Sequence, residues 1–178
     1  MLDNFIYSFG GQTATAKVLD DFIELNVITG AYSEVKIDNG ANLIEPLHSM
    51  AICPVYYASK MFPNGVVGNL KLKSLSGRTN WGEAKELIKH EGFYMFGGRK
   101  KDGRATNDLI IFKVDEDPYT HKAAFNIIKP KTFGKQPPPR YCHSINFVQK
   151  LGFIVIYGGR NDEINAAPVL DDIWLIKV

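Results

Sequence analysis

Cysteine is nearly absent from this sequence. Two thiols, Cys53 and Cys142, among 178 residues build no disulfide framework, which excludes a small cross-linked secreted scaffold. No apolar run approaches the roughly 20 residues of a membrane helix. The N-terminus, MLDNFIYSFGG, lacks the basic start and long apolar stretch of a secretory signal. Together these absences set the expectation of a cytoplasmic, reducing environment and no membrane partner. Excess charge is missing too: 21 basic and 19 acidic residues leave +2, so bulk electrostatics does not select for nucleic acid. Histidine is sparse, and His48, His90, His121 and His143 lie far apart in sequence. That is not zinc spacing, and neither metal nor cofactor is expected. No phosphate loop, Ser-His-Asp set or close carboxylate pair stands out, so the chain reads as non-catalytic.

What the sequence does have is a repeat. Phe93–Val114 reads FYMFGGRKKDGRATNDLIIFKV. An apolar run meets Gly-Gly, a polar loop follows, and Asn-Asp opens a second apolar run. Phe5–Val27 (FIYSFGGQTATAKVLDDFIELNV) and Phe153–Val178 (FIVIYGGRNDEINAAPVLDDIWLIKV) follow the same plan. The second glycines are Gly11, Gly98 and Gly159, and the opening aspartates are Asp21, Asp108 and Asp172. The runs are short and rich in Phe, Ile, Tyr and Val, which predicts strands. Each polar loop then joins an antiparallel pair. Glycine suits the junction because it takes positive φ or admits a close backbone neighbour.

A second element also recurs. PLHSMAICPVYY (Pro46–Tyr57) parallels PRYCHSINFV (Pro139–Val148), each with a proline shortly before His-Ser and a strand. His48 and His143 are read as repeat residues at a strand start, not as ligands. From Ser144 to Gly158 is 14 residues, and from Ser49 to Gly97 is 48, so the middle repeat carries an insertion of 34. Without it, the Gly10-to-Gly97 spacing of 87 shrinks to 53, close to a 50-residue repeat period.

With these features the chain resembles the kelch-repeat β-propeller family. The match rests on the Gly-Gly pairs, the Asp-Asp or Asn-Asp strand openings and the Pro…His-Ser strand starts. It covers nearly the whole chain outside the insertion. The usual Tyr of the strand after the loop is replaced by Leu25, Phe112 and Ile176, and no Trp follows at the usual distance, with Phe125 standing in for it in the middle repeat. The resemblance implies an all-β fold: a partial propeller of about two and a half four-stranded antiparallel blades. Blade one would be 1–45, blade two 46–138 with an insertion at 58–90, and blade three 139–178, incomplete. In the insertion, NWGEAKELIKHEG predicts one short helix, capped by Asn80 and Glu83 and presenting Trp81, Ala84 and Ile88 on one face.

In kelch adaptors the residue after Gly-Gly lines the face that grips partner peptides. That position holds Gln12, Arg99 and Arg160, with Asn161 following. Arginine binds carboxylates in a bidentate way, so the expected partner is a protein or peptide with acidic character. The loop RKKDGR (Arg99–Arg104) is basic but has no interleaved aromatics, and nucleic acid is not expected. The family also contains copper radical oxidases and sugar epimerases. Cys142 beside Tyr141 is the lone hint of such chemistry here. The expected function is a non-catalytic protein-interaction module or scaffold within a longer chain. The alternative is a building block of a cytoskeletal or ciliary assembly, joined to other blades of its parent or to other subunits.

Overall fold

A computed structural model describes residues 5–55, 91–116, 123–164 and 168–178. The expected insertion at 58–90, with its helix and Trp81, lies outside these residues, as do His90 and His121. Across the described residues the fold is all-β, and its sheets are antiparallel apart from the pairing of one short edge strand.

The first repeat gives β1 (Phe5–Gln12), β2 (Val18–Asn26) and β3 (Tyr32–Glu34), which form one sheet in that order. Next come β4 (Ile37–Asn39), a 3-10 turn at Ala41–Leu43, β5 (Leu47–His48) and β6 (Ala51–Val55). The middle repeat continues with β7 (Gly92–Phe96), β8 (Arg99–Lys100), β9 (Leu109–Glu116) and β10 (Ala123–Ile128). The last repeat gives β11 (Ser144–Val148), β12 (Phe153–Tyr157) and β13 (Ile173–Lys177). The central sheet runs β4-β10-β9-β7-β6, the third sheet β11-β12-β13, and β5 pairs with β8. β4 is parallel to β10 and was not foreseen. β2 starts three residues ahead of Asp21, because Gly11 and Gln12 keep pairing with Leu19 and Val18 beyond a bulge.

Side-chain alternation decides the stacking. In β9, Ile110 and Phe112 point to one side with Met95 of β7, where Phe9 and Phe22 of the first sheet meet them. Leu109 and Ile111 point the other way with Tyr94 and Phe96, against Ile145, Ile154 and Ile156 of the third sheet. The central sheet is therefore covered on both faces, which is why its strands read as unbroken apolar runs. Phe125 of β10 is fully buried, with ring centroids 5.0 Å from Tyr7 and 4.9 Å from Phe22. Each such aromatic stabilises the stack by about 1.5–3 kcal/mol.

Candidate functional site

The three Gly-Gly turns share one backbone conformation. Their φ angles are 62° and 110° at Gly10-Gly11, 63° and 113° at Gly97-Gly98, and 66° and 102° at Gly158-Gly159. A Cβ on Gly97 would sit 2.4 Å from the Arg140 carbonyl oxygen, and one on Gly10 2.6 Å from that of Leu47. The Gly98 N–H donates to the same Arg140 oxygen at 2.9 Å. The glycines do more than turn the chain. They let one repeat bond the next through bare backbone.

This contact also fixes the true register of the second repeated element. Leu47 and Arg140 are equivalent, and Ser49 (φ 56°) and Cys142 (φ 52°) share a left-handed backbone. The Cys142 N–H donates to the Ser49 oxygen at 2.8 Å. It follows that Tyr141 takes the place of His48, and His143 that of Met50. The His-Ser match in the sequence is offset by two residues, because His48-Ser49 ends on the left-handed position whereas His143-Ser144 begins just after it.

Just beyond the turns, Arg99 and Arg160 converge. Arg160 Nη2 lies 3.0 Å from Asp162 Oδ1, and Arg99 Nη2 lies 3.5 Å from Asp162 Oδ2. The Tyr141 hydroxyl donates to Asp162 Oδ2 at 2.6 Å, and the Arg99 guanidinium stands 5.3 Å from the Tyr141 ring centroid. Arg99 Nε donates to the Gly103 oxygen at 2.8 Å, which orients the guanidinium. The Tyr141 bond, with the charges of Arg160 and Arg99, holds the Asp162 carboxyl below its usual range. The same bond raises the Tyr141 hydroxyl. Both arginines remain partly exposed, with side chains 36% and 52% accessible. The cluster can therefore present guanidinium edges to a carboxylate or phosphate while Asp162 keeps them aligned.

Two of the expected site residues behave differently. Gln12 is exposed, and its amide donates weakly within its own turn to the Ala16 oxygen at 3.4 Å. Nothing among the described residues ties it to either arginine. Asn161 is a correction: it is 4% exposed, its Oδ1 accepts the Glu163 N–H at 3.0 Å, and its own N–H donates to the Pro168 oxygen. It shapes the loop from inside and is not offered to a partner. The neighbouring basic loop is partly neutralised, since Lys100 pairs with Glu45 at 2.7 Å and Arg104 with Asp102 at 2.6 Å.

A buried arginine escaped sequence reasoning, as Asp162 did. Arg140 is fully buried, and it binds Asp172 in a bidentate way, Nη1 to Oδ1 at 2.6 Å and Nη2 to Oδ2 at 2.9 Å. Its Nη1 also donates to the Gly158 oxygen at 2.9 Å. Arg140, with the Trp174 indole N–H as a second donor, lowers the Asp172 carboxyl to about 2. Leu47 fills the Arg140 place in the middle repeat, so Asp108 turns instead to Lys129 at 2.6 Å. Burial pushes the Cys53 thiol up to about 12, which leaves it unreactive. Among the described residues no three acidic, histidine or cysteine side chains form a metal-sized group.

No family model matches the chain. It is 32% identical over 73 residues to V(D)J recombination-activating protein 2 of Oncorhynchus mykiss, a match covering 40% of this chain and 14% of the relative. It is 31% identical over 85 residues to Dynein regulatory complex subunit 7 of Chlamydomonas reinhardtii, covering 47% and 6%. A cryo-EM structure of RAG in complex with one melted RSS and one unmelted RSS aligns with 99% of this chain and 47% of that chain. The TM-score is 0.59 at 18% identity, a likeness of fold. The chain thus spans less than half the length of each of these proteins.

Proposed function

We propose that the chain is a non-catalytic protein-interaction module, a partial kelch-type propeller whose post-Gly-Gly residues meet a partner. The observation that carries this reading is the convergence of Arg99 and Arg160, from successive repeats, on Asp162 beside Tyr141. Two rigidly held, partly exposed guanidinium groups suit an acidic peptide. Asp162 is then both the support of the site and its internal competitor. A protein partner fits better than nucleic acid, because Glu45, Asp102 and Asp162 offset much of the basic loop. The test is affinity purification of the native protein beside Arg99→Ala/Arg160→Ala. We expect the double variant to lose its partners while staying folded. Unchanged partners would sink the proposal.

A second reading is favoured by the similarity to the dynein regulatory complex subunit. In it the chain is a building block of a larger, cytoskeletal or ciliary assembly, held through sheet faces. Partners that survive the arginine variant, but are lost when Ile173 and Leu175 on the exposed face of the third sheet become glutamate, would select it.

A further inference from the structure

The two loop arginines and the acid between them are held in different ways. Arg99 lies in β8, where its backbone pairs with His48 and Ala105, and Arg160 bridges Tyr141 and Val169. Arg99 Nε is also anchored on the Gly103 oxygen. Asp162 lies beyond these ladder contacts, in the turn that the Ile164 N–H closes by donating to the Asn161 oxygen at 3.2 Å. Its side chain is 38% accessible. The same place, three residues after the second glycine, holds Lys101 in the middle repeat and Ala14 in the first. The acid is therefore no part of the repeat pattern. It stands where the arginines meet.

Asp162 fills the seat that an outside carboxylate would take. Its Oδ1 accepts from Arg160 Nε at 3.2 Å and lies 3.0 Å from Nη2. Its Oδ2 accepts the Tyr141 hydroxyl at 2.6 Å and leaves Arg99 Nη2 at 3.5 Å. One planar group thus serves Arg160 well and Arg99 poorly. Among the described residues neither Arg99 Nη1 nor Arg160 Nη1 has an acceptor. A partner's carboxylate would exchange with Asp162 bond for bond and charge for charge. A short tether gives the resident acid an effective concentration on the order of millimolar, so a monoanion gains little by displacing it. A phosphate monoester brings about −1.5 to −2 charge at neutral pH and three acceptor oxygens. It meets the two guanidinium charges with nearly twice the charge of Asp162. Its tetrahedral oxygens reach two guanidinium planes where a carboxylate matches one.

We infer that the Arg99–Arg160 pair takes a phosphorylated side chain of a partner peptide, and that Asp162 is a built-in competitor whose displacement sets a threshold simple carboxylates do not clear. This ligand class rests on the reading of the loop face as a partner site, and narrows acidic to phosphorylated. Nucleic-acid phosphodiesters carry one charge each, and the same threshold disfavours them.

The test is fluorescence anisotropy of the full chain with two labelled eleven-residue peptides, degenerate everywhere except the centre, which holds phosphoserine or glutamate. A labelled ten-nucleotide oligothymidine is the third probe. The phosphoserine peptide should bind at least tenfold more tightly than either of the others. Asp162→Asn keeps the side-chain shape and an acceptor for Tyr141 but removes the competing charge. Both peptides should then gain at least fivefold, with phosphoserine still the tighter. Arg99→Ala/Arg160→Ala should abolish the preference. Equal binding of the two peptides, both lost with the arginines, would overturn the ligand class and leave the loop face standing as an acidic-peptide site. Phosphoserine binding indifferent to the arginines, or no binding of either peptide by the wild type and Asp162→Asn, would overturn the class and the loop face together. Oligothymidine binding tighter than phosphoserine would put nucleic acid in place of the peptide. Unchanged or weaker binding by Asp162→Asn would overturn the part given to Asp162 as competitor.

Discussion

The central and third sheets are built on the same repeat, yet equivalent positions have opposite environments. Phe96 and Leu109 are 1% and 7% exposed, whereas their counterparts Tyr157 and Ile173 are 53% and 66% exposed. Ile111 is 2% exposed and its counterpart Leu175 is 61%. The side-chain chemistry is apolar in both sheets. The sequence of the third sheet is therefore written for coverage on two sides, and the described structure supplies it on one. An apolar face of this kind marks an interaction surface.

The largest test of this contrast is a pair of truncations. Phe125→Ala, in the doubly covered sheet, should cost about 3–5 kcal/mol in denaturant unfolding. Ile173→Ala should change stability by no more than about 0.5 kcal/mol. A cost above about 2 kcal/mol at Ile173 would mean that the exposed face is covered in solution, and the contrast would collapse. The next test compares two aspartates at one repeat position. Asp172→Asn strands the buried Arg140 charge and should cost about 3 kcal/mol. Asp108→Asn loses only the half-exposed Lys129 and should cost about 1 kcal/mol or less. Equal losses would show that burial of Arg140 is not what separates the repeats.

At neutral pH the smallest effect comes from His143, which stands where the middle repeat has Met50. Burial, and then the nearby Arg140 charge, lower its pKa to about 4, with a small opposing influence from the Phe96 backbone. Both of its ring nitrogens are shielded from solvent. The unfolded chain takes up the proton first, so this contribution is whole above about pH 6.5 and fades as pH falls toward 4. Its upper bound is about 3 kcal/mol. Denaturation midpoints from pH 7.5 to 4 should fall, and His143→Met should flatten the slope. An unchanged slope in the variant would assign the pH dependence to other groups.

The legible part of the fold was what the backbone itself demands. Gly10-Gly11, Gly97-Gly98 and Gly158-Gly159 announce positive φ, and the apolar runs beside them fall within a few residues of the observed strands. Arg99 and Arg160 were found from their place after the glycines. Asp162, which joins them, was not, because nothing in GGRND separates an inward-facing Asn161 from an outward one. Arg140 was hidden for a different reason. Its partner Asp172 is 32 residues away, and the matching place in the middle repeat is Leu47, so no recurring pattern flagged it. Ser49 and Cys142 were illegible because neither residue type advertises a left-handed backbone.

β4 has a consequence for how the molecule comes apart. It belongs by sequence to the first repeat, yet its three residues lie along the outer edge of the central sheet, beside β10. A cut between residues 45 and 46 would therefore not release two autonomous units. The first repeat would lose its seat, and β10 would be left with a bare rim. Opening of the first sheet and exchange of the β10 amides should belong to one cooperative event, so the unit of unfolding is longer than the unit of repetition.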